Sequence, residues 1–208
     1  MIKIFVDTCV WRHWFTIDKI QEETIVNNAK SFQLIYDLVL KSNGRAGFIH
    51  NVKVEDELGE GFASEFRNKI IPYSTQVPVP LTLCDGAYNF GGSILAGGKM
   101  GGSLREMLRR SGYKHEEELQ KAAKSLENGE FLYHKRQRKR EFDIEHMESA
   151  LEAEAHFFVT DDEKSILRPL REMVTNYDKE HPISMICSIA FTPYEAYEKL
   201  LEMLPKNG

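Results

Sequence analysis

The chain begins with a β-branched and aromatic run, Ile2-Lys3-Ile4-Phe5-Val6, closed by Asp7 and Thr8, which predicts a strand ending in a polar loop with a helix soon after. From Glu22 to Lys41 the apolar positions Ile25, Ala29, Phe32, Ile35, Leu38 and Val39 recur at helical spacing, and Ser42-Asn43-Gly44 supplies the stop. A second strand is expected over Ala46–His50. Val52, Val54, Leu58 and Phe62 then suggest a helix carrying Glu55, Asp56 and Glu57, and Pro72, Pro78 and Pro80 mark a loop beyond it. Cys84 to Gly102 holds seven glycines with almost no periodicity and reads as a loop. Ser103 to Glu130 reads as one or two polar helices, and Glu130 to Met147 begins another.

Asp143, Met147, Ala150 and Leu151 form an i, i+4, i+7, i+8 stripe that ends before a strand over His156–Thr160, and a helix is expected around Ser165 to Val174. The apolar run Ile183 to Ile189 reads as a further buried strand. Thr192-Pro193-Tyr194-Glu195 then gives an N-cap, a proline at N1 and a glutamate at N3, the capping box of a last helix. Strands alternating with helices predict an α/β fold, three-layer α/β/α with a central, mostly parallel sheet.

Composition narrows this picture. The 208 residues suit one domain, and 42% hydrophobic with 28% charged residues places the chain among globular proteins rather than disordered or low-complexity ones. Cys9, Cys84 and Cys187 lie far apart with no CxxC pair, which excludes a cysteine-only zinc site and a disulfide scaffold. No apolar stretch approaches the roughly 20 residues of a membrane span. A soluble, cytosolic protein with no membrane partner is the expectation.

Ligands of a parallel sheet collect outside the carboxyl ends of its strands, and that rule selects acids. Asp7 follows the first strand, Glu57 sits in the helix after the second, Asp143 lies in the helix before the third, and Asp161 and Asp162 follow the third. Carboxylates brought together must protonate, separate or share cations. With oxygen ligands and no His or Cys at transition-metal spacing, the set suits Mg²⁺ or Mn²⁺. Such ions activate water toward a phosphodiester without a protein nucleophile. Each acid also has a plainer reading: Asp7, Asp143, Asp161 and Asp162 as helix caps, and Glu57 as part of a solvated helix face.

The charge distribution supports a polyanionic substrate. The net charge is −5, but Lys99 to Arg140 carries twelve Lys and Arg against six Glu, leaving 15 against 26 elsewhere. Lys99, Arg105, Arg136, Arg138, Lys139 and Arg140 are the expected contacts to a nucleic-acid backbone, because Lys and Arg neutralise phosphates without reading sequence. On a continuous helix at ~1.5 Å per residue, Arg136 and Arg140 lie within about two turns of Asp143. The glycine run before Lys99 is not a phosphate loop, since Ser93 and Met100 stand where Gly and Ser or Thr are required. Trp11 and Trp14 are expected in the core, and neither His134 nor His146 is assigned as a general base.

The segments IFVDT, NVKVEDEL, DIEHMESAL and HFFVTDDEKSIL, in this order, resemble the PIN-domain nucleases. The resemblance covers most of residues 1–70 and 140–204 and implies a single PIN-like domain over 1–208, with an inserted Gly-rich loop and basic helical segment at about 72–141. By that resemblance Asp7, Glu57, Asp143 and Asp162 are the catalytic, metal-holding acids, with Thr160 and Asp161 in support. It further implies an endoribonuclease that leaves 5′-phosphate and 3′-hydroxyl ends. The resemblance also implies a homodimer as well as RNA and, because the family includes bacterial toxins, an antitoxin or other protein partner. Cys9 stands where many members have Asn.

Two other functional classes remain. One is a non-catalytic PIN-like module binding RNA or a protein, which metal affinity would distinguish. The other is a phosphatase using Asp7 as nucleophile, disfavoured because Cys9 breaks the expected DxD arrangement.

Overall fold

The computed structural model describes residues 1–79 and 142–204. Within them, β1 (Ile2–Val6), β2 (Ala46–His50), β3 (Ser74–Gln76), β4 (Phe157–Val159) and β5 (Ala190–Phe191) form one sheet in the order β3-β2-β1-β4-β5. All four pairings are parallel. Between the strands run α1 (Thr8–Phe15), α2 (Glu23–Lys41), α3 (Val52–Lys69), a helix α4 described over 142–152, α5 (Arg168–Met173) and α6 (Pro182–Ile189), with α7 (Pro193–Met203) closing the chain.

Register assigns the faces of the sheet. Ile4 lies beside Phe48 and Phe157, and Phe5 beside Ile49 and Phe158, so alternate residues of these strands point to opposite sides. On the Phe48 side, Trp11 of α1 meets Phe32 of α2, Phe48 and Phe66 of α3 edge-on, with ring centroids 4.9, 5.5 and 5.3 Å away. The indole N–H, which could not be buried unpaired, donates to the Val6 carbonyl at 3.1 Å. Helix α7 packs on α2, and Lys199 lies over the Phe191 ring. On the Phe5 side, Phe5 stacks on Phe158 and meets the ring of His146 from α4. The fold is therefore α/β with helices on both faces of a parallel sheet, the three-layer arrangement expected from the sequence.

Local chemistry sets the boundaries. Asn43 and Gly44 turn with φ of 51° and 78°, ending α2 before β2. Thr192 and Glu195 form the reciprocal capping box of α7. Two expectations fail. Ile183 to Ile189 is a helix, because His181 accepts from the Ile183 N–H and Pro182 occupies the first turn; only Ala190–Phe191 is strand. The proline-marked stretch after residue 72 contains β3, a polar edge strand on β2, so the sheet continues past the point where the inserted segment was expected to begin. Residues 80–141, where the Gly-rich loop and the basic helices were expected and where His134 falls, lie outside the described residues. Among the described residues no helix is long and apolar enough to cross a membrane.

Candidate metal centre

The centre is assembled at the carboxyl edge of β1. The Asp7 N–H continues the ladder to the Val159 carbonyl at 2.9 Å, and the residue then caps α1, its Oδ1 accepting from the Thr8 N–H at 2.7 Å. The capping reading of Asp7 is thus correct, yet it uses only part of the carboxylate. Oδ2 accepts from the Thr160 hydroxyl at 2.7 Å and from the Cys9 thiol at 3.1 Å. Thr160 stands just beyond the end of β4, the neighbouring strand, which is why it reaches Asp7.

Glu57 arrives from α3. Its Oε2 accepts from the Thr8 hydroxyl at 2.5 Å, and its backbone carbonyl accepts from the Arg12 guanidinium. Two residues later Gly59 kinks the helix with φ 73° and ψ 170°, a conformation essentially reserved for glycine. Asn51 caps α3 by accepting from the Lys53 N–H and donates to the Ser149 hydroxyl of α4 at 2.8 Å. That bond fastens the start of α3 to the helix carrying the third group.

The third group is His146, which sequence reasoning left unassigned. Its side chain is fully buried, with Nδ1 3.5 Å from Asp7 Oδ1 and 4.0 Å from Glu57 Oε2. Neither ring nitrogen has a hydrogen-bond partner among the described residues. One ligand atom each from Asp7, Glu57 and His146 lies within 4.8 Å of the others, a buried cluster that could hold a metal ion. This imidazole adds a nitrogen beside the oxygen donors expected from the sequence. A signal was present: His146 lies three residues after Asp143 and four before Ala150, on the inward stripe of α4.

Electrostatics keeps Asp7 ionised. Burial would raise the Asp7 carboxyl, but the His146 imidazole and the hydrogen bonds from Thr160 and Cys9 outweigh it and bring it down to about 2. Cys9 moves the other way: burial first, then the charges of Asp7 and Asp161, push its thiol well above the usual range. Cys9 therefore stays protonated and serves as a hydrogen-bond donor to Asp7 rather than as a thiolate ligand.

The other expected residues sit around this group. Asp143 is buried on α4, one turn before His146, and is not a member of the cluster. Asp162 caps the π-type turn Glu163–Leu167, its Oδ1 accepting from the Ser165 N–H at 2.7 Å, while its own N–H donates to Thr160 at 3.1 Å. Asp161 turns its Oδ2 to His13 Nδ1 at 2.8 Å. Lys99, Arg105, Arg136, Arg138, Lys139 and Arg140 lie outside the described residues.

No protein-family model and no curated protein matches this chain.

Proposed function

We propose that this protein is a metal-dependent phosphodiesterase of the PIN type, an endoribonuclease whose Asp7, Glu57 and His146 hold a divalent ion. The observation that carries the reading is the buried imidazole whose Nδ1 lies 3.5 Å from Asp7 Oδ1 and 4.0 Å from Glu57 Oε2, with no hydrogen-bond partner at either ring nitrogen among the described residues, at the carboxyl edge of a parallel sheet. Two carboxylates fit Mg²⁺ or Mn²⁺, and the added nitrogen donor favours Mn²⁺. When bound, the ion supplies an activated water and charge neutralisation at phosphorus.

The chain's own residues do the rest. Asp7 is ionised throughout the physiological range, so no proton has to leave before it can act as a ligand. Thr8, Thr160 and Cys9 fix the carboxylate orientations, as outer contacts of metal ligands do. Asp143, buried one turn before His146, and Asp162, whose N–H donates to Thr160, are the further acids that the resemblance assigns to this edge. By their charge, Lys99, Arg105, Arg136, Arg138, Lys139 and Arg140 bind the substrate backbone; by resemblance, the products carry 5′-phosphate and 3′-hydroxyl ends; and the widely spaced cysteines fit a protein that works in the reducing cytoplasm.

The test is cleavage of labelled RNAs and single-stranded DNAs with Mn²⁺, Mg²⁺ or EDTA, beside the Asp7→Asn variant. Metal-dependent cutting of RNA that the variant lacks supports the reading; equal cutting in EDTA, or by the variant, overturns it. One observation favours a non-catalytic RNA- or protein-binding module instead: Asp7 Oδ2 already accepts two hydrogen bonds, from Thr160 and Cys9. That module would bind RNA without cutting it under any of these conditions.

A further inference from the structure

Helix α1 presents Cys9 and His13, four residues apart, on the face that meets the loop after β4. The Asp161 N–H donates to Cys9 Sγ at 3.4 Å, and the same sulfur reaches Asp7 Oδ2 at 3.1 Å. The Asp161 carboxylate, 2% exposed, takes His13 Nδ1 at 2.8 Å, while the His13 side chain is 29% exposed. A short relay of contacts therefore connects the metal centre to a solvent-accessible imidazole. Among the described residues Asp161 Oδ1 has no hydrogen-bond partner. A buried carboxylate devoted to one ring nitrogen fixes the tautomer and orientation of an imidazole and leaves Nε2 available for proton transfer.

We infer that His13, oriented by Asp161, is the general acid that protonates the oxygen leaving phosphorus. The inference rests on the nuclease reading above. As the water oxygen bonds to phosphorus and loses its proton to solvent, the P–O3′ bond breaks and its electron pair goes to O3′. His13 Nε2 gives O3′ a proton, becomes neutral, and regains a proton from solvent. His13 is the catalytic residue of this pair and Asp161 its positioning residue.

An RNA with sulfur in place of the bridging 3′ oxygen separates this role from others, because a thiolate leaves without a proton. With Mn²⁺, His13→Gln should cut the oxygen substrate about 10²- to 10⁴-fold more slowly than wild type. It should cut the sulfur substrate at close to the wild-type rate. Asp161→Asn should show a smaller loss with the same rescue, and both variants should bind Mn²⁺ as tightly as wild type in calorimetry. Equal slowing on both substrates, no slowing, or weakened Mn²⁺ binding overturns the inference while leaving the nuclease reading intact. Wild-type protein that cuts neither substrate overturns both.

Discussion

His146 and Asp7, 139 residues apart in the chain, face each other with Nδ1 and Oδ1 3.5 Å apart at the edge where β1 ends. Leaving a buried polar group without a hydrogen bond costs about 1–3 kcal/mol. A neutral imidazole has one lone-pair nitrogen, and Nδ1 beside the two carboxylates is the one placed to give it to a cation.

The Gly59 kink makes a prediction about placement of Glu57. A Cβ at Gly59 would meet nothing within 4 Å, so the penalty for Gly59→Ala is conformational, set by φ of 73°. Strain of this type costs about 1–3 kcal/mol. Gly59→Ala should lose that much stability in urea unfolding and should also weaken Mn²⁺ binding. Gly61→Ala, equally open but without a positive φ, should be neutral or stabilising. Equal effects at both positions would contradict the strain argument.

Thr160→Val keeps the shape of the side chain and removes its hydroxyl. Asp7 then loses its 2.7 Å donor, and the Asp162 N–H loses its acceptor. Hydrogen bonds to charged groups contribute about 1.5–3 kcal/mol, and a loss of that size is expected in equilibrium unfolding. A change under about 0.5 kcal/mol would show that water replaces the hydroxyl without cost, on the same scale.

Much of this framework is legible in the residues themselves. The boundaries of β1 and β2 and the capping box at Thr192 follow from local preferences that the fold leaves unopposed. β3 is not legible, because Ser74-Thr75-Gln76 is polar and set among prolines; it is a strand only because β2 offers it a free edge. Ile183–Ile189 is an apolar run too short for periodicity to separate helix from strand, and the proline after His181 decides it. Asp7 and Glu57 are selected by the strand-end rule. His146 meets them only through the Asn51–Ser149 bond and the packing of α4 on Phe5, both tertiary facts.

His50, at the end of β2, sets a pH dependence of stability. It is 3% exposed, packs on Phe66 and has Ser74 Oγ 2.6 Å from its Nδ1. Burial lowers its pKa from the ordinary 6.5, against a smaller opposing pull from Glu55. The unfolded chain therefore binds the proton at a higher pH than the folded protein does. The stability owed to neutral His50 is complete above 6.5 and declines as pH falls toward the lowered folded value. Urea unfolding between about pH 5 and 7.5 should show this decline in the wild type and a shallower one in His50→Gln. Identical slopes would contradict it.

The most direct test of the central claim is calorimetric titration of Mn²⁺ into metal-free wild-type protein, Glu57→Gln and His146→Gln. The account predicts saturable binding by the wild type. It predicts that each variant loses more than the roughly 10- to 100-fold typical of removing an outer supporting contact, with unfolding curves that show both variants folded. Undetectable wild-type binding, or binding unchanged in the two folded variants, would contradict the assignment of Asp7, Glu57 and His146 as a metal centre.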